Sequence, residues 1–187
     1  HTALRRQRQM CIRDSINNFL GGVDEDWFVT VHVCIENAAS EAISSSIALI
    51  DETSESKIEM YLNNILESLK KVNHIFKRMP EKCDPYIYYH RVRPYIFGWK
   101  NNPDLPKGLI YDGLFKNRPQ QFRGETGAQS SIIPLLDALF SVKHKKDSLR
   151  DYLEEMLLYM PPAHRELIFH VKKSSKVKMY ANESIKI

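Results

Sequence analysis

Four groups of residues carry types and spacings that can do chemistry. His32 stands in the mostly apolar run Val29-Thr30-Val31-His32-Val33. Apolar surroundings favour a neutral imidazole, able to donate or accept a hydrogen bond without charge; the plainer reading is a core histidine satisfied by a backbone carbonyl. Tyr86, Tyr89, His90 and Arg93 recur at i, i+3, i+4 and i+7, one face of an α-helix. An aromatic wall beside a guanidinium suits a planar substrate bearing a carboxylate, which Arg grips with two parallel N–H groups. A snorkelling Arg over aromatic packing explains the same spacing. The run from Phe122 through Arg123, Gly124, Glu125, Thr126, Gly127, Ala128 and Gln129 to Ser130 and Ser131 is a small-residue loop entering a helix. Such loops let backbone approach a ligand, and helix-start N–H groups favour an anion; an ordinary capped loop is the alternative. Met160-Pro161-Pro162-Ala163-His164-Arg165 is a rigid corner between helices whose two polar residues could lock loops together or simply build the corner. Patterns of the CxxC, HExxH, phosphate-loop and dinucleotide kinds are missing from the sequence.

The elements that must position these groups read as helices. Residues 24–50 open with three acids, favourable at a helix N-terminus, and continue through small residues around Ala38 and Ala39. Ile58, Leu62, Ile65, Leu69, Val72, Phe76 and Met79 form a one-face stripe at alternating steps of four and three, with Ser54 or Ser56 as its cap and Pro80 after it. Asp84-Pro85 supplies an N-cap and an N1 proline; the helix that follows is expected to kink at Pro94 and end at Gly98. Residues 100–129 have almost no periodicity, and a connection of that length inside a compact domain tends to be functional. Ser130 or Ser131 opens a helix to about Val142. Another is expected from Asp147 to Met160, burying Leu149, Tyr152, Leu153, Met156, Leu157 and Met160, with a further helix after Pro162. The fold class is therefore all-α.

Bulk properties narrow the function. The chain has 187 residues, 43% hydrophobic and 27% charged, the composition of a globular domain and not of a disordered tail. No apolar run approaches the roughly 20 residues of a membrane span. The net charge of +4 is concentrated at the start: residues 1–15 hold four arginines against one acid, and the remaining 172 hold 23 basic and 22 acidic groups. That balance predicts neither nucleic-acid nor membrane partners. Residues 1–15 have no apolar periodicity and no signal-peptide core, and resemble translated adapter sequence; they read as a non-native or unstructured head, with one domain over 16–187. Cys11, Cys34 and Cys83 are odd in number and without metal-ligand spacing, which points to a reducing, cytoplasmic setting.

Four stretches occur together in one known family. Arg93-Pro94-Tyr95-Ile96-Phe97-Gly98-Trp99-Lys100, Gly108-Leu109-Ile110-Tyr111-Asp112-Gly113, Gly127-Ala128-Gln129-Ser130-Ser131 and the 160–165 corner, in that order, resemble indoleamine 2,3-dioxygenase over roughly residues 16–180. The resemblance implies a helical haem-binding large domain of that type, incomplete at both ends. It implies haem b as cofactor, molecular oxygen and L-tryptophan or another indoleamine as substrates, an electron donor that reduces the haem, and insertion of oxygen across the indole C2–C3 bond to give N-formylkynurenine in tryptophan catabolism by the kynurenine pathway.

Carried over residue by residue, Arg93 corresponds to the arginine that pairs with the substrate carboxylate. Tyr88 and Tyr89 fall where the family places aromatic rings over the indole, Phe28 at another pocket aromatic and Ile96 at an apolar lining position. Thr126 and Gly127 correspond to the small residues beside substrate and haem. His32 falls at a distal-pocket position that is Ser in mammalian members, where it would accept a hydrogen bond from the indole N–H or organise dioxygen. Tyr88 and Tyr89 in place of phenylalanine are departures that bear on pocket polarity. The family's proximal haem histidine is expected beyond Ile187, so no residue here is assigned to the iron and the polypeptide alone is expected to bind haem poorly and to be inactive. The alternatives are a non-catalytic haem or oxygen-binding protein on the same scaffold, or a helical interaction domain without haem.

Overall fold

The computed structural model describes residues 18–184, with side chains to 181; the proposed head at 1–15 lies outside the described residues. The chain is all-α. Helix α1 (Val23–Ala48) is followed by α2 (Glu55–Phe76), a 3-10 turn (Met79–Glu81), α3 (Pro85–Ile87), a π-helical turn (Tyr88–Val92) and α4 (Arg93–Ile96). After a long irregular segment come α5 (Ile132–Phe140), α6 (Ser148–Leu157), α7 (Pro162–Ser174) and α8 (Val177–Ser184). Among the described residues the extended pairing consists of isolated antiparallel bridges, Gly98 with Arg123 and Leu109 with Gln120. No described helix is long and apolar enough to cross a membrane.

Two compact units divide the chain, one of residues 1–30 and 79–127, the other of residues 31–78 and 128–187. The second unit holds the main hydrophobic cluster. Ala39 and Ala42 of α1 and Leu49 just past its end join Ile58 and Ile65 of α2, Leu135 and Leu139 of α5, Ile168 and Val171 of α7 and Val177 of α8. The small residues of α1 let α2 approach closely enough for Ser68 Oγ to donate to the carbonyl of Ala38 at 2.7 Å. Helix α5 packs on α7 and α8, and Ser175 Oγ, at the joint between those two, donates to the carbonyl of Leu139 at 2.5 Å.

Local chemistry accounts for the boundaries. Asp84 caps α3, its Oδ1 accepting from the N–H groups of Tyr86 and Ile87 at 2.8 and 3.0 Å, and Asp147 caps α6 by accepting from Arg150 N–H at 2.9 Å. Ser141 ends α5 in the left-handed region. Two expectations are corrected. Ser54 occupies the cap position of α2 but makes no side-chain cap bond; Glu52 instead accepts from the N–H groups of Thr53 and Ser54. In α6 only part of the expected stripe turns inward: Met156 and, just past the helix, Met160 are buried, whereas Leu149 and Leu153 are exposed, as is Phe76 at the end of α2. A stripe read from spacing marks a face, but burial needs a neighbour along the whole of it, and helix ends outrun their neighbours.

Two contacts tie the 160–165 corner to its surroundings. Arg165 donates to the carbonyl of Leu158 at 3.0 Å, and His164 Nδ1 lies 3.3 Å from Ser131 Oγ at the start of α5. Leu139, fully buried, should be the most sensitive point of the second unit. Leu139→Ala is expected to cost about 3 kcal/mol of stability, against roughly 0.5 kcal/mol or less for exposed Leu149→Ala, measured by urea denaturation; equal effects would contradict the packing described.

Candidate functional site

All but one of the candidate residues fall in the first unit, on α1, on the α3–α4 helix and on the loop after it. Phe28 of α1 and Tyr88 stack, ring centroids 4.0 Å apart and planes 23° from parallel. Burial pushes the Tyr88 phenol up to about 12; the Arg93 charge opposes this, while Cys83 and Glu25 add to it. The phenol is therefore neutral at ordinary pH and acts as a hydroxyl. Arg93 lies half-buried with its guanidinium 5.6 Å from the Phe97 ring centroid, a cation–π distance. Among the described residues no carboxylate pairs with Arg93.

The helix carrying these groups departs from the expected one-face arrangement. Arg93 N–H bonds to the carbonyl of Tyr88, five residues back, and closes a π turn. Pro94 has no N–H to give to His90 and its ring would strike that carbonyl in an α-helix; a widened turn followed by a restart at Arg93 removes both problems. The spacing of seven from Tyr86 to Arg93 spans the widened turn and is no longer that of an α-helical face, whereas Tyr86, Tyr89 and His90 stay together. Tyr86 and Tyr89 pack on His90, centroids 4.6 and 5.1 Å away, and both tyrosines are exposed, Tyr89 to 62%. Tyr88, not Tyr89, is the ring stacked on Phe28.

Ile96, Thr126 and Gly127 are connected by a backbone crossing. Gly124 N–H donates to the carbonyl of Phe97 at 3.0 Å, and a Cβ on Gly124 would meet the carbonyl oxygen of Ile96 at 1.6 Å. Gly98 faces the same crossing with φ +80° and would strike Gly124 N at 2.3 Å. Only residues without a side chain permit this approach, and it ties the chain two residues before Thr126 to the end of α4. Thr126 is half-buried and Gly127 exposed. The intervening residues 98–124 form a pinned loop: Trp99 Nε1 donates to Tyr111 Oη at 2.8 Å, Phe115 and Phe122 pack 5.5 Å apart, and Phe115, Lys116 and Asn117 all have positive φ. His32, half-buried, stands four residues beyond Phe28 on α1 but belongs to the second unit.

Sequence reading missed the part played by the acids that open α1. Glu25 is buried and accepts three backbone N–H groups, from Phe19, Leu20 and Gly21, at 2.8–2.9 Å. Burial raises its pKa, but these three bonds outweigh it and the carboxyl sits below its ordinary value. Asp24 Oδ1 accepts from the backbone N–H of Asp84 at 2.7 Å, and Asp26 accepts from the Asn18 side chain at 3.0 Å. The adjacent Gly21-Gly22 pair, which allows the chain to turn back, was the available signal. Cys83 is buried beside this cluster, and burial first, then the charges of Asp24 and Asp84, push its thiol up, which favours the thiol over the thiolate.

Residues 6–186 match the family described as Indoleamine 2,3-dioxygenase. The chain is 36% identical over 182 residues to indoleamine 2,3-dioxygenase 1 of Rattus norvegicus, covering 92% of this chain and 44% of that protein. It is 38% identical over 172 residues to the Mus musculus protein of the same name, covering 89% and 42%. The indoleamine 2,3-dioxygenase of Saccharomyces cerevisiae is 30% identical over 185 residues, covering 91% and 40%. The chain thus spans less than half the length of these curated relatives.

The Glu25 cluster makes a pH-dependent prediction. Because its folded-state pKa is depressed, its contribution is present above the ordinary carboxyl value of 4.5 and is lost as pH falls through the lower, folded value. Glu25→Gln should lower the melting temperature at pH 7, and the gap from wild type should close as pH is taken below 4.5. A gap constant across that range would refute the assignment.

Proposed function

The chain belongs to the indoleamine 2,3-dioxygenase family, and we propose that it forms one wall of a pocket in which O2 is inserted across the indole C2–C3 bond of L-tryptophan or a related indoleamine, giving N-formylkynurenine. The observation that carries this reading is a neutral, stacked Phe28–Tyr88 pair beside an Arg93 guanidinium that no carboxylate takes up among the described residues. The stacked rings give the indole an apolar, aromatic surface. Arg93 grips the substrate carboxylate with its planar fork and so fixes which edge of the indole is presented. Tyr88, a hydroxyl donor where the family resemblance leads one to expect phenylalanine, adds a hydrogen-bonding point to that surface. Ile96 lines the apolar side, Tyr89 supplies a further aromatic at the exposed edge, and Thr126 and Gly127 leave room for substrate and cofactor. By the family resemblance His32, which lies in the second unit, would accept a hydrogen bond from the indole N–H or order dioxygen.

The residues present fit a haem wall: the half-buried Phe28–Tyr88 stack offers an apolar aromatic face, with the Arg93 guanidinium as the charged group beside it. Thr126 and Gly127 would touch the macrocycle, and haem supplies the redox chemistry with oxygen when bound. Among the described residues no three His, Cys, Asp or Glu gather as a metal site. No residue of this chain is assigned to the iron. An electron donor would supply the reducing equivalents that haem chemistry of this kind requires.

The test uses the full-length parent protein, purified with haem and assayed for tryptophan-dependent N-formylkynurenine by its near-ultraviolet absorbance. Turnover is expected. Arg93→Ala should reduce kcat/KM by about 10- to 100-fold, mostly through KM, with Arg93→Lys intermediate. Haem binding without tryptophan consumption would favour the oxygen-binding alternative, and no haem binding at all would favour an interaction domain.

A further inference from the structure

The three acids that open α1 act on three different partners, and one of those contacts reaches the aromatic wall. Asp24 Oδ1 accepts the backbone N–H of Asp84, which is the N-cap of α3. Phe28 follows Asp24 by four residues and Tyr88 follows Asp84 by four residues, one helical turn in each case. The hydrogen bond and the ring stack are therefore successive contacts of the same two helices, one turn apart, at 2.7 Å and 4.0 Å. Lys82 adds a third contact, its Nζ 5.0 Å from the Trp27 ring centroid. Asp84 is also a relay: while its N–H is held by Asp24, its own carboxylate holds the N–H groups of Tyr86 and Ile87. The arrangement extends to the guanidinium, because the π turn ties Arg93 N–H to the carbonyl of Tyr88. A shift of α3 along α1 would thus move ring and cation together.

We infer that Asp24 is a positioning residue: through Asp84 its carboxylate sets the register of α1 against the helix that carries Tyr88 and Arg93. Asp24 touches neither substrate nor cofactor in this assignment, which rests on the proposed role of the Phe28–Tyr88 wall. The hydrogen bond needs an acceptor oxygen at a set reach from the backbone and does not need a charge. Asparagine retains that oxygen, alanine removes it, and serine is too short to present it. Asp26 shares the helix start and the charge but accepts from Asn18, so it separates register from a general effect of acids on the helix dipole.

The experiment compares wild-type full-length protein with Asp24→Ala, Asp24→Asn and Asp26→Ala. Tyrosines are labelled as 3-fluorotyrosine, the Tyr88 resonance is identified by its loss in Tyr88→Phe, and steady-state kinetics are measured on L-tryptophan. Asp24→Ala is expected to move the Tyr88 fluorine signal toward the unfolded position and to raise KM about tenfold with kcat changed less than about threefold. Asp24→Asn and Asp26→Ala should match wild type in both readouts. If Asp24→Ala does not fold, Asp24→Ser carries the same expectation. An unmoved Tyr88 signal in the alanine or serine variant overturns the inference, as does an asparagine variant as impaired as alanine. Absence of turnover in the wild type would sink the proposed function instead, and the fluorine signals would still decide whether Asp24 sets the register.

Discussion

Pro94 imposes the constraint around which the candidate site is arranged. A proline ten residues into a helix that opens at Asp84 has no N–H for the carbonyl four residues back, and its ring occupies the space where that carbonyl would lie. Instead of breaking, the helix takes one wider turn over Tyr88–Val92 and begins again at Arg93. The wider turn rotates everything after it relative to an α-helix. Arg93, after the turn, lies over Phe97 without a carboxylate partner among the described residues, while at its start Tyr88 stacks on Phe28 and Tyr89 stays at the surface with His90. A π turn is less favourable than an α turn and persists where its surroundings over-determine it. Here the Asp84 cap before it and the Gly124 crossing after it do so.

The two units are stabilised differently. The second is a conventional helical core, where large apolar side chains from α1, α2, α5, α7 and α8 meet at a single cluster. The first has much less buried apolar surface; Ile110, Leu114, Phe97 and Tyr89 are all exposed. It is held by carboxylates accepting backbone N–H groups, by the crossing of Gly98 and Gly124, and by aromatic contacts around Tyr111 and Phe122. Directional contacts of this kind fix geometry closely while contributing modestly to stability. That division suits a substrate wall, whose residues must stay open to a ligand and yet be placed accurately.

The same division separates what was legible in the residues from what was not. Helices, caps and breaks could be read because each depends on a few neighbours in the chain: Asp84 followed by Pro85, Asp147 ahead of α6, the double proline before α7, and the stripe through Ile58 and Ile65. The family could be read for a different reason, since several unremarkable stretches in one order are jointly specific. Phe28 and Tyr88 came forward through that resemblance, whereas Arg93 already stood out by its spacing from Tyr86, Tyr89 and His90.

What the chain alone left undecided concerns groups brought together from distant positions. Three acids at the start of α1 are explained by the helix dipole when nothing else is in view; that Asp24 reaches Asp84, sixty residues away, and that Glu25 gathers the N–H groups of residues 19–21, follows only once the chain is folded. Pro94 announces a kink, but whether a helix answers with a break, a bend or a π turn depends on what holds its two ends. Leu149 and Leu153 share a stripe with Met156 in the linear pattern, and only the packing around α6 leaves them at the surface. Local propensity and periodicity are properties of neighbouring residues and so are written in the sequence, whereas register, burial and the meeting of carboxylate with N–H are set by long-range packing, which only the tertiary structure decides.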